Sequence, residues 1–93
     1  MDTKKRITFI VNPISGTQNK KGVTEKIKKY ADNEKFDISI IPTQYAGHAT
    51  DIAAQCVADG VDIVVAVGGD GTINETARAL VHSSTALGII PCG

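Results

Sequence analysis

The run Ile63-Val64-Val65-Ala66-Val67 leads without a break into Gly68-Gly69-Asp70-Gly71-Thr72. Apolar, mostly β-branched residues in unbroken succession read as a strand buried on both faces of a parallel sheet. The glycines that follow let the backbone turn sharply and approach another group with no Cβ in the way. After Thr72 the period changes, and Ile73, Ala77, Leu80 and Val81 fall on one helical face. Thr72 and Glu75 have capping-box spacing, which predicts a helix starting at Thr72. Strand, glycine turn and helix N-terminus in succession aim free N–H groups and a positive dipole end at an anion. The segment reads as a phosphate site, with ATP the expected owner of the phosphates.

The remaining pattern alternates strands with helices. Ile7 to Val11 is a second apolar strand, closed by Asn12-Pro13, and residues 14–22 have turn composition without a period. Val23, Ile27, Tyr30 and Ala31 follow helical spacing among lysines, predicting an amphipathic helix that ends near Asn33. Phe36, Ile38 and Ile40 alternate with Asp37 and Ser39 in a half-exposed strand stopped by Pro42, a pattern suited to a sheet edge. Ala49, Ile52, Ala53, Cys56 and Val57 form the stripe of a further helix, with Gly60 as its stop. A last strand is expected from Ala86 to Ile90. The class is therefore α/β, a mainly parallel sheet with right-handed crossovers. Ligands in such sheets bind beyond the strands' carboxyl ends where strand order reverses. If the loops at Asn12 and Gly68 serve one site, the strand order is 2-1-3-4.

Size and charge narrow the partners. With 93 residues the chain is one small domain or part of one. Its 42% hydrophobic and 22% charged content is that of a folded globular protein. Ten basic residues balance ten acidic ones, and there is no Trp, so neither a global field nor a stacking platform for nucleic acid is expected. No apolar run reaches the roughly 20 residues of a membrane span, and the one after Arg6 is too short for a signal-peptide core. Cytoplasmic residence is the default expectation. Cys56 and Cys92 lack metal-ligand spacing and read as buried or incidental thiols.

Several residues carry candidate chemistry. Gly68, Gly69, Gly71 and Thr72 would contact phosphate, although the run is neither a Walker A loop nor a dinucleotide fingerprint. A carboxylate about 4 Å from a phosphate costs on the order of 4 kcal/mol at an effective dielectric of about 20, so Asp70 needs a reason to be there. It could hold Mg²⁺ through water, take a proton from an attacking hydroxyl, or fasten the turn by accepting backbone N–H bonds. Asn12 with Ser15 and Gly16 would face the glycine turn under the proposed strand order. Thr43 has a hydroxyl to offer a phosphate. His48 reads as a helix-start residue, and Glu75 as the capping partner of Thr72, with Asn74 beside it on the first helical turn. The lysines at 20, 21, 26, 28 and 29 read as a solvated face.

Four motifs occur in order: Asn12-Pro13-x-Ser15-Gly16; Thr43 with Gly47-His48-Ala49; Gly68-Gly69-Asp70-Gly71-Thr72-x-Asn74-Glu75; and Leu87-Gly88-Ile89-Ile90-Pro91-x-Gly93. Together they resemble the N-terminal nucleotide-binding domain of the diacylglycerol kinase catalytic family, which includes bacterial diacylglycerol kinases and sphingosine kinases. The glycine motif alone is shared with NAD kinases. The resemblance implies a three-layer α/β/α fold of the NAD kinase and diacylglycerol kinase type. It implies ATP contacts from Asn12, Ser15, Gly16, Thr43 and the run Gly68 to Asn74. It further implies Mg²⁺-assisted transfer of the γ-phosphoryl group to a lipid hydroxyl, with Asp70 the candidate catalytic residue and the metal ligands unassigned. In that family Thr-x-Asn-Asp and a second, β-rich domain follow the last strand. Residues 1–93 are thus expected to be an ATP-binding lobe, inactive on lipid alone, with ATP, a lipid acceptor and a transient membrane surface as partners. A homo-oligomer through the last strand's edge is a further expectation. The alternatives are an NAD kinase-like lobe and a non-catalytic module that keeps the fold.

Overall fold

The computed structural model describes residues 4–13, 27 and 35–91. The elements in chain order are β1 (Lys5–Val11), β2 (Phe36–Pro42), α1 (His48–Ala58), β3 (Ile63–Gly68), α2 (Asp70–Leu80) and β4 (Ala86–Pro91). All strand pairings are parallel, and the order across the sheet is β2-β1-β3-β4. This is the expected 2-1-3-4 order, and the α/β class holds. The predicted helix near residues 23–33 and the loop before it lie outside the described residues, as do Ser15, Gly16 and Cys92. Ile27 is described; it is helical and buried.

Alternation along each strand divides the core in two. Ile10 and Val64 point to the face covered by α1 and α2, where they join Ala49, Ile52, Ala53, Cys56, Val61 and Leu80. Ile7, Phe9, Val65, Val67 and Ile90 point the other way and enclose Ile27. Helical residues therefore lie on both faces of the sheet, and β1 and β3 are covered on both sides. That explains why these two strands are nearly continuous apolar runs. β2 lies at the edge, as its polar alternation predicts, with Ile40 exposed.

Both described helices begin at the carboxyl ends of strands. Before α1 the chain turns at Gly47 (φ 89°), and after it Asp59 caps the helix and Gly60 (φ 77°) takes the left-handed conformation that ends it. The return to β3 is fastened to the start of β1. Arg6 N–H donates to the Asp62 carboxylate (2.8 Å), and the Arg6 guanidinium donates to the Asp59 carbonyl (2.6 Å).

Two expectations are corrected. First, α2 begins at Asp70, not at Thr72, with extended Gly69 as its N-cap and no side-chain capping bond. Thr72 is inside the helix, so the Thr72–Glu75 capping box does not form, and Asn74 and Glu75 lie on the second turn. Second, α2 buries Thr72, Thr76 and Leu80, while Ile73 and Ala77 are half-buried and Val81 is 60% exposed. The threonines can be buried because the Thr76 hydroxyl donates to the Thr72 carbonyl (2.8 Å), which satisfies it within the helix. β4 is the outermost strand among the described residues, as the 2-1-3-4 order expects, and Leu87 and Ile89 are exposed on it.

Candidate functional site

Where β1, β2 and β3 end, their backbones stay locked together for one more step. Asn12 N–H donates to the Val67 carbonyl (3.0 Å), and Thr43 N–H donates to the Val11 carbonyl (2.8 Å). The loops at Asn12 and Thr43 are therefore extensions of the sheet, and they stand beside the start of α2. The Asn12 amide reaches the Thr72 hydroxyl at 3.3 Å. From the other side, the Thr50 hydroxyl on α1 donates to the Glu75 carbonyl (2.8 Å) and ties the two helices together.

These groups enclose an open cavity of about 280 Å³, lined by Asn12, Thr43, Gln44, Tyr45, Gly71, Thr72 and Glu75 together with Ala46. Its size falls just below the usual range for a whole small-molecule site. Because no side chain caps α2, the first N–H groups of the helix, including those of Asp70, Gly71 and Thr72, have no intrahelical acceptor. They carry the positive end of the helix dipole.

The glycines of the turn differ in what requires them. A Cβ on Gly68 would lie 2.9 Å from the Thr72 hydroxyl oxygen and 3.3 Å from the Asn12 Cβ. Gly68 is thus explained by packing: it lets Thr72 and Asn12 close over the end of β3. A Cβ on Gly71 would meet nothing within 4 Å. Gly71 is the second residue of α2, its position leaves the helix backbone bare beside the cavity, and packing does not require a glycine there.

Asp70 is the first residue of α2 and is exposed. A carboxylate there complements the helix dipole by about 0.3–1 kcal/mol. Among the described residues nothing hydrogen-bonds its side chain, so the turn-fastening role expected as one alternative is not seen. Its carboxylate faces solvent beside the free N–H groups.

The same region is matched by known proteins. A family model described as "Diacylglycerol kinase catalytic domain" covers residues 6–93. The chain belongs to the diacylglycerol kinase catalytic domain family. It is 36% identical over 92 residues to the diacylglycerol kinase of Bacillus subtilis and 34% identical to that of Staphylococcus saprophyticus. The matches cover 96% and 97% of this chain and 30% of each relative. A crystal structure of a diacylglycerol kinase from Bacillus anthracis superposes with a TM-score of 0.76 at 26% identity, covering all of this chain and 35% of that one. The chain therefore spans about a third of the length of the relatives it matches.

Against the family's motif, the structure brings Asn12, Thr43, Gly71 and Thr72 together around one cavity. Gly68 supports them from beneath. Gly69 forms the N-cap, and Asp70 and the exposed Asn74 stand outside the cavity's lining. His48 is the first residue of α1, as expected of a helix-start residue, and its Nδ1 accepts the Gln44 N–H at 2.9 Å. Tyr45, Gln44 and Glu75 line the cavity although their sequence context gave no sign of it. No period or spacing marks Gln44 and Tyr45, and the capping-box pattern disguised Glu75.

Proposed function

We propose that this chain is the N-terminal, ATP-binding lobe of a lipid kinase that transfers the γ-phosphoryl group of ATP to a hydroxyl of diacylglycerol or a related lipid. The observation that carries the reading is Gly71, a residue in the first turn of α2 that packing does not require to be glycine and whose bare backbone lines the cavity. Membership of the diacylglycerol kinase catalytic domain family supports the choice of donor and acceptor. In this reading the polyphosphate lies against the N–H groups of Gly71 and Thr72. Asn12 and Thr43 flank it, and Ser15, Gly16 and Asn74 add further contacts.

The reaction breaks the bond between the γ-phosphorus and the bridging oxygen of ADP and forms one to the lipid oxygen. The lipid hydroxyl's proton passes to Asp70, acting as base, or to solvent. Positioning and charge stabilisation supply most of the rate. Among the described residues no group of three or more His, Cys, Asp or Glu could hold a metal. In this reading Mg²⁺ is held by phosphate oxygens and water with one or two carboxylates, and Asp70, the first residue of α2, would hold it through water. When bound, Mg²⁺ neutralises charge on the phosphates. In this reading the protein works at a membrane surface, where its lipid acceptor lies. The lipid is held largely by a β-rich domain beyond these residues, and the open edge of β4 pairs with a second copy.

Calorimetric titration with ATP and Mg²⁺ tests the site, and a diacylglycerol phosphorylation assay on the longer polypeptide carrying these residues tests the reaction. Saturable binding is expected, and Asp70→Asn should slow transfer by roughly 100-fold or more if Asp70 is the base. Crystals grown with ATP and Mg²⁺ that place the polyphosphate away from Gly71 would overturn the reading.

A further inference from the structure

We infer that the exposed ring of Tyr45 is the stacking surface for the nucleotide base, which sets ATP along the cavity with its base at residues 43–47 and its phosphates at the start of α2; this rests on the ATP reading above. Tyr45 is 58% exposed, yet it is held on several sides. One ring face stacks on His48, with centroids 4.3 Å apart and planes 16° from parallel. The phenol donates to the Asp51 carboxylate at 3.0 Å, and this bond is the main cause of the tyrosine pKa being raised. His48 is itself fixed, because its Nδ1 accepts the Gln44 N–H.

The result is a preorganised aromatic ring that stacks on His48 and still keeps 58% of its surface exposed at the cavity. A surface tyrosine ordered in this way has lost its rotamer freedom before any ligand arrives, which lowers the cost of stacking on it. The other described phenylalanine and tyrosine rings do not offer such a surface here. Phe9 is fully buried, and Phe36 is half-buried at the amino end of β2. Tyr45 also lines the same cavity as Gly71 and Thr72, so one bound molecule could touch both ends. An anion-binding end and an aromatic end within one cavity match a nucleotide rather than a free phosphate.

Isothermal titration of ATP and of inorganic tripolyphosphate, each with Mg²⁺, separates the two ends. Tyr45→Ala and Tyr45→Leu are expected to weaken ATP about tenfold, within the usual range for base–aromatic stacking, and to leave tripolyphosphate within about twofold. Tyr45→Phe, which keeps the ring and loses the Asp51 bond, should retain most of the ATP affinity. Equal losses for both ligands, or no loss of ATP binding in either variant, would overturn the inference. Tripolyphosphate binding as tightly as ATP to the unaltered protein would overturn it too, with the phosphate site left standing. Binding of neither ligand would remove the ATP reading and this inference together.

Discussion

The glycines at 68 and 71 have the same chemical character and opposite physical roles, and substitution separates them. Gly68→Ala drives a methyl to 2.9 Å from the Thr72 oxygen, so Thr72 and Asn12 must shift. The expected cost is about 1–3 kcal/mol, read from the urea midpoint. Gly71→Ala meets nothing within 4 Å and should gain up to about 1 kcal/mol of stability while losing ATP affinity. A Gly71→Ala variant that gained stability and bound ATP unchanged would move the phosphates elsewhere. Sequence makes both glycines visible but does not distinguish them, because the difference lies in Thr72 and Asn12, one of them 60 residues distant from the other. Tyr45 was hidden for a similar reason: a lone aromatic in a loop has no period, and only His48 and Asp51 give it a fixed plane. Cys56 was legible as a core residue from the helical stripe, and its burial raises the thiol pKa, with a hydrogen bond from Thr8 partly opposing. A folded-state pKa above the unfolded value of about 8.5 means this contribution is whole below that pH and is lost as pH rises towards the folded value. Stability should therefore fall more between pH 8 and 10 in the unaltered protein than in Cys56→Ala, measured by denaturant unfolding at each pH.

At the level of elements, the strands were more legible than the helix starts. β1 and β3 are covered on both faces and show it as apolar runs; β2 has one poorer face and shows it as alternation. Their order followed from two strands ending in polar, glycine-bearing loops that one site would have to share. The start of α2 was misread because capping is decided by tertiary contact as well as spacing. Thr72 has the correct spacing from Glu75, but it fills the space that Gly68 leaves and meets the Asn12 amide, which fixes it inside the helix. Gly69 takes the capping position instead. The contact between α1 and α2 offers a test of how the cavity is held. Thr50→Val keeps the side chain's shape and removes the bond to the Glu75 carbonyl. The expected loss is about 1 kcal/mol of stability by chemical denaturation, at the ordinary value of one hydrogen bond. ATP affinity should fall as well, since Glu75 lines the cavity.

Across the whole molecule, the apolar surface is uneven. The β2 edge is broken by Asp37 and Ser39, whereas β4 exposes Leu87 (39%) and Ile89 (42%) and has no described strand beyond it. Both residues lie in register with Val64 and Ala66 and so on the helix-bearing face. An unpaired edge with apolar residues and no charge from Ala86 to Pro91 lacks the devices that keep edges apart. Pro91 closes the strand, but it sits at the end and leaves the preceding backbone groups available. Two such edges can meet about a twofold axis, each supplying the surface that the other covers. The purified chain is accordingly expected to self-associate as its concentration rises, observed by sedimentation velocity. Replacing Leu87 by Lys puts a charge on the edge strand at an exposed position and should return the population to monomer with the unfolding midpoint little changed. A monomer for the unaltered chain at high concentration would show that the edge is blocked in some other way. Equal association of Leu87→Lys would place the contact on a different surface.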